Sequence, residues 1–274
     1  MGSHVQTPIP QDAPKTGTFS KPPQRRKFHG FLFDMDGTII DSTDAIVRHW
    51  HLISKEIGFD PEVVLATSHG RRSIDTLQVL DPSKANWECI YLFRQLTDPW
   101  LTQFPDVHKI EARIPLEYGQ GAKEVPGARA KLAKLTEISA PWAIVTSGSK
   151  PLVDGWLKVM SLPHPPVLVT AEDVSVGKPD PACYELGKKR IGLSEGDVSI
   201  LVLEDAPSGI RAGKAAGCTV LGLATTHSIQ SVLEAGADLV VKDLDSMRIM
   251  GVGKDAAGRM EVEIEILDAW EIGA

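Results

Sequence analysis

The chain is poor in cysteine. Only Cys89, Cys183 and Cys218 occur in 274 residues, and they are too far apart to form a C-x-x-C pair. Disulfide frameworks and structural zinc sites need more cysteines at closer spacing, so we expect neither. Sparse, unpaired cysteines are typical of a reducing compartment, and we therefore predict a cytoplasmic protein.

Long apolar runs are also missing. No stretch approaches the roughly 18 apolar residues that a membrane-spanning helix needs. The N-terminus lacks the apolar segment of a secretory signal. We therefore expect no membrane partner.

Positive charge is scarce as well. The chain has 29 Lys and Arg against 36 Asp and Glu, for a formal net charge of −7. A nucleic-acid-binding surface needs clustered basic side chains, so we expect no nucleic acid partner. An anionic substrate can still bind where the site itself supplies positive charge.

The patterns that are present divide the chain into three parts. Residues 1–27 are rich in Pro, Gln, Thr, Ser and Lys and have almost no apolar periodicity, which predicts a disordered tail. Residues 44–119 have the apolar spacing of helices and no convincing strand, which predicts an inserted helical cap. Residues 28–43 and 120–274 are then predicted to form the core, and we expect a monomer.

The core region alternates between strand and helix patterns. Its strands are near-continuous apolar runs, which is typical of a parallel sheet covered by helices on both faces. The predicted fold class is therefore α/β, with a Rossmann-like parallel sheet flanked by helices. A later segment, residues 260–266, alternates apolar and acidic residues and predicts a half-exposed terminal strand. The predicted core strands are 31–33, 142–145, 167–170, 199–203, 219–224 and 238–241.

Polar, reactive residues follow three of these strands. In open parallel sheets ligands bind beyond the carboxyl ends of the strands, so we expect these residues to meet at one edge. A loop between two strands adds a lysine to the set. The residues are Asp34 with Asp36, Thr146 with Ser147, Glu204 with Asp205, and Lys178.

This set indicates phosphate chemistry. Carboxylates supply the hard oxygen ligands that Mg²⁺ prefers. The cation would relieve the repulsion between the carboxylates and attract a phosphate dianion. Thr146, the backbone N–H of Ser147 and the Lys178 ammonium can hold phosphoryl oxygens. One carboxylate can then attack phosphorus, and another can protonate the leaving oxygen.

The same residues resemble a known family. The string from Phe33 to Thr38, FDMDGT, resembles the signature of the haloacid dehalogenase superfamily of phosphatases. Residues 146–147, 178–181 and 204–209 resemble its other motifs in the expected order, and the resemblance runs from about residue 28 to about residue 248. Within the superfamily the chain is most similar to fungal glycerol-1-phosphatases, with 2-deoxyglucose-6-phosphate phosphatases next. The strings that carry this similarity are residues 68–72, 124–128, 142–148 and 209–217.

The resemblance implies a role for each core residue. Asp34 would be the nucleophile, Asp36 the general acid and base, and Lys178 a catalytic cation. Mg²⁺ would be held by Asp34, the carbonyl of Asp36 and Asp205, with Glu204 beside it. Phosphate-binding candidates are Thr38, Thr146, Ser147 and Lys178.

The resemblance also implies a closing cap and a substrate class. Residues 68–73 would form a specificity loop, with His69 and Arg72 as candidate substrate contacts. The expected activity is Mg²⁺-dependent hydrolysis of a small polyol or sugar phosphate through an aspartyl-phosphate. Glycerol 1-phosphate is favoured, and 2-deoxyglucose 6-phosphate is next.

Two other functions stay open from the sequence. A sugar phosphomutase of the same fold would carry an almost identical site. A non-catalytic regulatory relative would keep the fold, although intact acidic, hydroxyl and lysine positions argue against it. A dehalogenase is disfavoured, because its chemistry needs neither an acid and base at Asp36 nor a metal.

Overall fold

The computed structural model describes residues 17–68, 70–80, 82 and 106–272. The strands are β1 (Gly17–Phe19), β2 (Gln24–Phe28), β3 (Gly30–Phe33), β4 (Ile40–Asp41), β5 (Lys123–Glu124), β6 (Trp142–Val145), β7 (Leu168–Val169), β8 (Ile200–Glu204), β9 (Thr219–Leu223), β10 (Leu239–Val241), β11 (Met247–Lys254), β12 (Met260–Ile266) and β13 (Trp270–Ile272). The helices are α1 (Thr43–Ile57), α2 (Pro61–Ser68), α3 (Ser73–Leu80), α4 (Asp106–Tyr118), α5 (Ala128–Glu137), α6 (Lys150–Val159), α7 (Ala182–Arg190), α8 (Pro207–Ala215) and α9 (Ile229–Glu234).

A parallel sheet forms the centre of the core. Among the described residues it has six strands in the order β10-β9-β8-β3-β6-β7. Every neighbouring pair in it is parallel. This confirms the predicted α/β class.

Helices cover both faces of this sheet. Successive side chains of a strand point to opposite faces, so Phe31 and Phe33 of β3 pack on one side and Leu32 on the other. Helices α5 and α6 supply apolar side chains to the first layer. Helices α7 and α8 supply them to the second. With both faces buried, β3 has no polar side chain until the chain leaves the sheet at Asp34.

The structure corrects the prediction of a disordered tail, because part of this segment forms antiparallel strands. Strand β2 pairs with β12, and β12 pairs with β11. Strand β1 pairs with β13. The prediction of a disordered tail is therefore wrong for residues 17–27, and residues 1–16 lie outside the described part of the chain.

Cross-strand charges explain why this polar segment is ordered. Arg25 pairs with Glu265 at 3.1 Å and Lys27 with Glu261 at 3.3 Å. Opposite charges on neighbouring antiparallel strands stabilise the pair, and the ladder satisfies the backbone groups of β2. The predicted half-exposed strand at 260–266 is confirmed as β12, whose buried and partly exposed residues alternate.

The helices α1 to α4 lie between β4 and β5. These two short strands pair with each other, so the chain leaves and rejoins the core at adjacent points. The helical segment has a small apolar cluster of its own, formed by Trp50, Ile53, Val64 and Ile110. The cap boundaries 44 and 119 stay a prediction. Within that range, residues 69, 81 and 83–105 lie outside the described part of the chain. No described helix is both long and apolar enough to cross a bilayer.

Candidate active site

The carboxyl ends of three neighbouring strands meet at one point. Strand β3 pairs with β6 on one side and with β8 on the other. Asp34 follows β3, Thr146 follows β6, and Glu204 and Asp205 stand at the end of β8. The structure thus brings the predicted residues together at one edge of the sheet.

Lys178 connects two of these carboxylates. Its Nζ lies 2.6 Å from Asp34 Oδ1, 2.6 Å from Glu204 Oε1 and 3.2 Å from the carbonyl oxygen of Val145. The lysine side chain is 1% exposed. Burial lowers the pKa of Lys178, but the carboxylates of Asp34 and Glu204 outweigh burial, and the net direction is upward. Lys178 therefore stays cationic beside Asp34.

Glu204 is fixed by several donors. Tyr184 donates its hydroxyl to Glu204 Oε1 at 2.7 Å, and the Ala206 N–H donates to Oε2 at 3.1 Å. Gly209 leaves the space for this carboxylate, because a Cβ there would lie 1.7 Å from Glu204 Oε1. In this structure the carboxylate of Glu204 holds Lys178 in position.

Asp205 accepts hydroxyl donors on both oxygens. Thr38 donates to Oδ1 at 3.1 Å, and the Thr226 hydroxyl donates to Oδ2. Gly37 lies directly against it: its φ is +88°, and a Cβ there would be 2.3 Å from Asp205 Oδ2. Thr38, a predicted phosphate contact, is fully buried beside Asp205 and does not line the cavity described below.

Three carboxylates form a candidate metal site. Oxygen atoms of Asp34, Glu204 and Asp205 all lie within 4.8 Å of one another, and all three residues are buried. Burial raises the pKa of Asp34, and the charges of Glu204 and Asp205 raise it further, while Lys178 opposes them. The fourth predicted acid, Asp36, accepts the Ser42 hydroxyl at 2.6 Å. Burial raises the pKa of Asp36 to about 6.

A cavity lies between the core and the helical segment. The core side includes Asp34, Asp36, Asp205 and the turn 146–148. The opposite wall comes from α1, α4 and the loop before α3. Its residues are Thr43, Ile46, Trp50, Gly70, Arg71, Ser73, Glu111 and Ile114.

Hydrogen bonds tie the helical segment to the core around this cavity. The carbonyl oxygen of Gly70 accepts the hydroxyls of Ser147 at 3.0 Å and of Ser208 at 3.1 Å. Glu111 Oε2 accepts the backbone N–H of Ser149 at 2.6 Å. Thr146 Oγ1 accepts the Gly148 N–H at 3.0 Å, which closes the turn after β6. The cavity is therefore enclosed from both sides.

The predicted specificity loop behaves differently from expectation. The structure does not bring Arg72 to the cavity, because all five of its guanidinium N–H groups are used by Asp75 and by the carbonyl oxygens of Ala171, Val174 and Ser175. Its exposed neighbour Arg71 lines the cavity instead. His69 lies outside the described residues.

Several residues at the site carry no signal in the sequence. Tyr184 and Glu111 lie within ordinary helical patterns, and Thr226 lies in a loop after β9. Arg71 differs from Arg72 by one position only. Which of these side chains reaches the cavity depends on helix packing and loop direction rather than on a local motif.

Comparison with known proteins identifies the family. A sequence profile of haloacid dehalogenase-like hydrolases matches residues 28–217. Glycerol-1-phosphate phosphohydrolase 2 of Saccharomyces cerevisiae is 38% identical over 236 residues, covering 84% of this chain and 88% of that protein. 2-deoxyglucose-6-phosphate phosphatase 1 of the same organism is 34% identical, with 80% and 89% covered. The crystal structure of a hydrolase from Pseudomonas syringae matches with a TM-score of 0.61 at 26% identity, covering 79% of this chain and 94% of that one. This chain belongs to the haloacid dehalogenase-like hydrolases.

Proposed function

We propose that this protein is a Mg²⁺-dependent phosphatase that hydrolyses a small polyol or sugar phosphate through an aspartyl-phosphate on Asp34. Glycerol 1-phosphate is the favoured substrate, and 2-deoxyglucose 6-phosphate is next. The observation that carries the proposal is the Asp34 carboxylate, held 2.6 Å from Lys178 at the floor of a cavity. The names of the two yeast relatives support the class of reaction and of substrate.

Asp34 is the nucleophile in this proposal. A carboxylate oxygen of Asp34 forms a bond to phosphorus while the bond between phosphorus and the leaving oxygen breaks. Lys178 stabilises the negative charge of the phosphoryl oxygens, since its ammonium is buried and already directed at Asp34. Thr146 and Ser147 line the cavity beside Asp34, and the Thr146 hydroxyl and the backbone N–H of Ser147 bind the other phosphoryl oxygens.

Asp36 is the general acid and then the general base. It gives its proton to the leaving oxygen in the first step. In the second step it takes a proton from water, the water oxygen bonds to phosphorus, and the bond to Asp34 breaks. Its buried position on the cavity wall and its raised pKa suit both roles.

The carboxylates fit the hard-oxygen preference of Mg²⁺. We assign the ion to Asp34, Asp205 and the main-chain carbonyl of Asp36, with Glu204 beside it. Asp34 and Asp205 line the cavity, whereas Glu204 does not and instead accepts hydrogen bonds from Lys178, Tyr184 and Ala206. We therefore assign Asp34 and Asp205 as the carboxylate ligands of the ion. When bound, the ion supplies positive charge that draws a phosphate dianion to an acidic site.

The helices between β4 and β5 are the cap in this proposal. They form the wall of the cavity opposite Asp34, so their closure excludes water while the phosphoryl group is transferred. Among the residues that line the cavity, Arg71 is an exposed basic side chain from the helical segment. Thr38 supports the site indirectly by donating to Asp205.

A phosphate-release assay tests the function. We expect purified protein with MgCl₂ to release inorganic phosphate from glycerol 1-phosphate or 2-deoxyglucose 6-phosphate, and EDTA to remove the activity until excess Mg²⁺ is restored. Absence of phosphate release from every member of a panel of polyol and sugar phosphates would contradict the proposal. Conversion of a sugar phosphate to its isomer through a bisphosphate, without phosphate release, would show the phosphomutase instead.

A further inference from the structure

Helix α4 places a buried carboxylate on the wall of the cavity opposite Asp34. Glu111 is 3% exposed and lines the same cavity as Asp34 and Asp36. A buried carboxylate is costly unless hydrogen bonds or a ligand satisfy its oxygens. Its position in the substrate cavity therefore calls for a reason.

The Glu111 carboxylate can accept hydrogen bonds beyond those that it already has. Its Oε2 accepts the backbone N–H of Ser149 at 2.6 Å. Burial raises the pKa of Glu111, and hydrogen bonds from Ser149 and Ser73 oppose that shift. A carboxylate has about four lone-pair directions, so two or three donors do not exhaust it.

Glu111 also lies close to the reacting end of the cavity. Its charge is near enough to Asp36 to raise the pKa of that acid. In the proposed mechanism Asp36 protonates the leaving oxygen. A hydroxyl of the leaving alcohol would therefore lie in the cavity that Glu111 lines.

Apart from Thr43, Arg71 and Ser73, the other side chains on this wall are apolar. Ile46, Trp50, Ile114 and, from the core, Leu152 line the same space. Such side chains pack against carbon atoms of a ligand but offer no acceptor to its hydroxyls. Ligand sites of this kind use a few polar groups on an apolar wall to set specificity.

We propose that Glu111 is a specificity-determining residue, which accepts a hydrogen bond from a hydroxyl of the leaving alcohol and so selects phosphate esters of polyhydroxylated alcohols. This inference rests on the proposed function and names the group that recognises its substrate class. An ester without that hydroxyl would bury the carboxylate without this additional hydrogen bond, and sites that lose such a bond discriminate strongly.

The test compares two esters that differ only in hydroxyl groups. Glycerol 1-phosphate and propyl phosphate have the same three-carbon chain. In Glu111→Ala we expect kcat/KM for glycerol 1-phosphate to fall about 10- to 100-fold, because a charge-assisted hydrogen bond is lost. For propyl phosphate we expect a change of less than about threefold, so the preference for the hydroxylated ester collapses.

Two further variants separate recognition from folding. Glu111→Gln keeps the size of the side chain and an acceptor oxygen without the charge, so we expect a smaller loss that is again confined to the hydroxylated ester. Glu62→Gln removes an equal charge from an exposed position on α2, away from the cavity, and should leave both esters unchanged. Thermal melting of each variant checks the fold.

The outcomes separate a failure of this inference from a failure of the proposed function on which it rests. Equal losses on both esters in Glu111→Gln would overturn the inference, because they would show a structural role for the link to Ser149. Unchanged preference in Glu111→Ala would overturn it as well. If the wild-type protein releases phosphate from no ester, the proposed function itself fails, and the inference fails with it.

Discussion

On the core side of the cavity, Asp34, Thr146 and Asp205 each directly follow a strand of the parallel sheet. Asp34 and Glu204 share Lys178 at 2.6 Å each. On the helical wall, Arg71 and Glu111 come from a loop and from the middle of a helix. In the proposed function this difference separates two tasks: the core wall carries out the reaction, and the helical wall selects the substrate.

Removal of the nucleophile should have the largest effect on the core wall. We expect Asp34→Asn to lower kcat by about 10³-fold or more, since an amide does not form the phospho-enzyme. Steady-state phosphate release measures this. Asp154→Asn, at a partly exposed position on α6, is the matched control and should keep full activity. Normal turnover in Asp34→Asn would contradict the assignment of Asp34 as the nucleophile on the core wall.

Removal of the buried cation should affect both activity and stability. Lys178→Met leaves Asp34 and Glu204 without a counter-charge, so we expect a loss of about 3–5 kcal/mol in the free energy of unfolding and of about 10²-fold in kcat. Urea unfolding and phosphate release measure the two effects. Lys214→Met breaks a partly exposed pair with Asp238 and should cost less than about 1 kcal/mol. Equal costs for the two variants would contradict the role given to Lys178.

A substitution of Tyr184 tests how far the reaction depends on the hydrogen bonds that hold the Glu204 carboxylate. Tyr184→Phe removes the 2.7 Å hydrogen bond to Glu204 but keeps the ring. We expect about 1–2 kcal/mol of lost stability and a drop in kcat smaller than that of Lys178→Met, because Lys178 keeps both carboxylates. The same two assays apply. A loss of activity as large as that of Asp34→Asn would show that Tyr184 takes a direct part in catalysis.

The stability of the helical segment should depend on pH through His49 of α1. The effect on activity should be the smallest of those predicted here. This buried ring packs against Trp50 and Tyr118, and neither of its nitrogens has a hydrogen-bond partner among the residues that the structure describes. Burial, helped by Arg113, lowers the pKa of His49 from 6.5 to about 3. Between those values the unfolded chain binds the extra proton, so stability is lost as pH falls through that window and is unaffected above it.

A substitution that cannot titrate isolates this effect. We expect His49→Phe to lose less stability than the wild type between about pH 7 and about pH 5, with the aromatic contacts kept. Urea midpoints at the two pH values measure it, and activity near neutral pH should change little. Identical pH slopes for the two proteins would contradict the burial of a neutral His49.

Local patterns were enough to predict most of the core. The strand at 142–145 has the predicted bounds, because its continuous apolar run matches the observed burial. The convergence of Asp34, Lys178 and Asp205 also followed, since parallel strands that carry polar residues at their carboxyl ends must bring those residues to one edge.

Features that depend on distant partners could not be predicted. Strand β2 is polar, and its order depends on β12, more than two hundred residues away in the sequence. Arg72 was expected at the substrate but is held by the loop that carries Ala171 and Val174. Glu111 looks like any acidic residue of an amphipathic helix until packing turns it toward the cavity.

Trapping the intermediate tests the central claim most directly. Protein quenched in acid during turnover, with Asp36→Asn used to slow breakdown of the phospho-enzyme, can be digested and mapped by mass spectrometry. The account predicts one phosphoryl group on the side chain of Asp34 and none on any peptide of Asp34→Asn. Full turnover with no phosphorylated Asp34, or with the phosphoryl group on another residue, would contradict it.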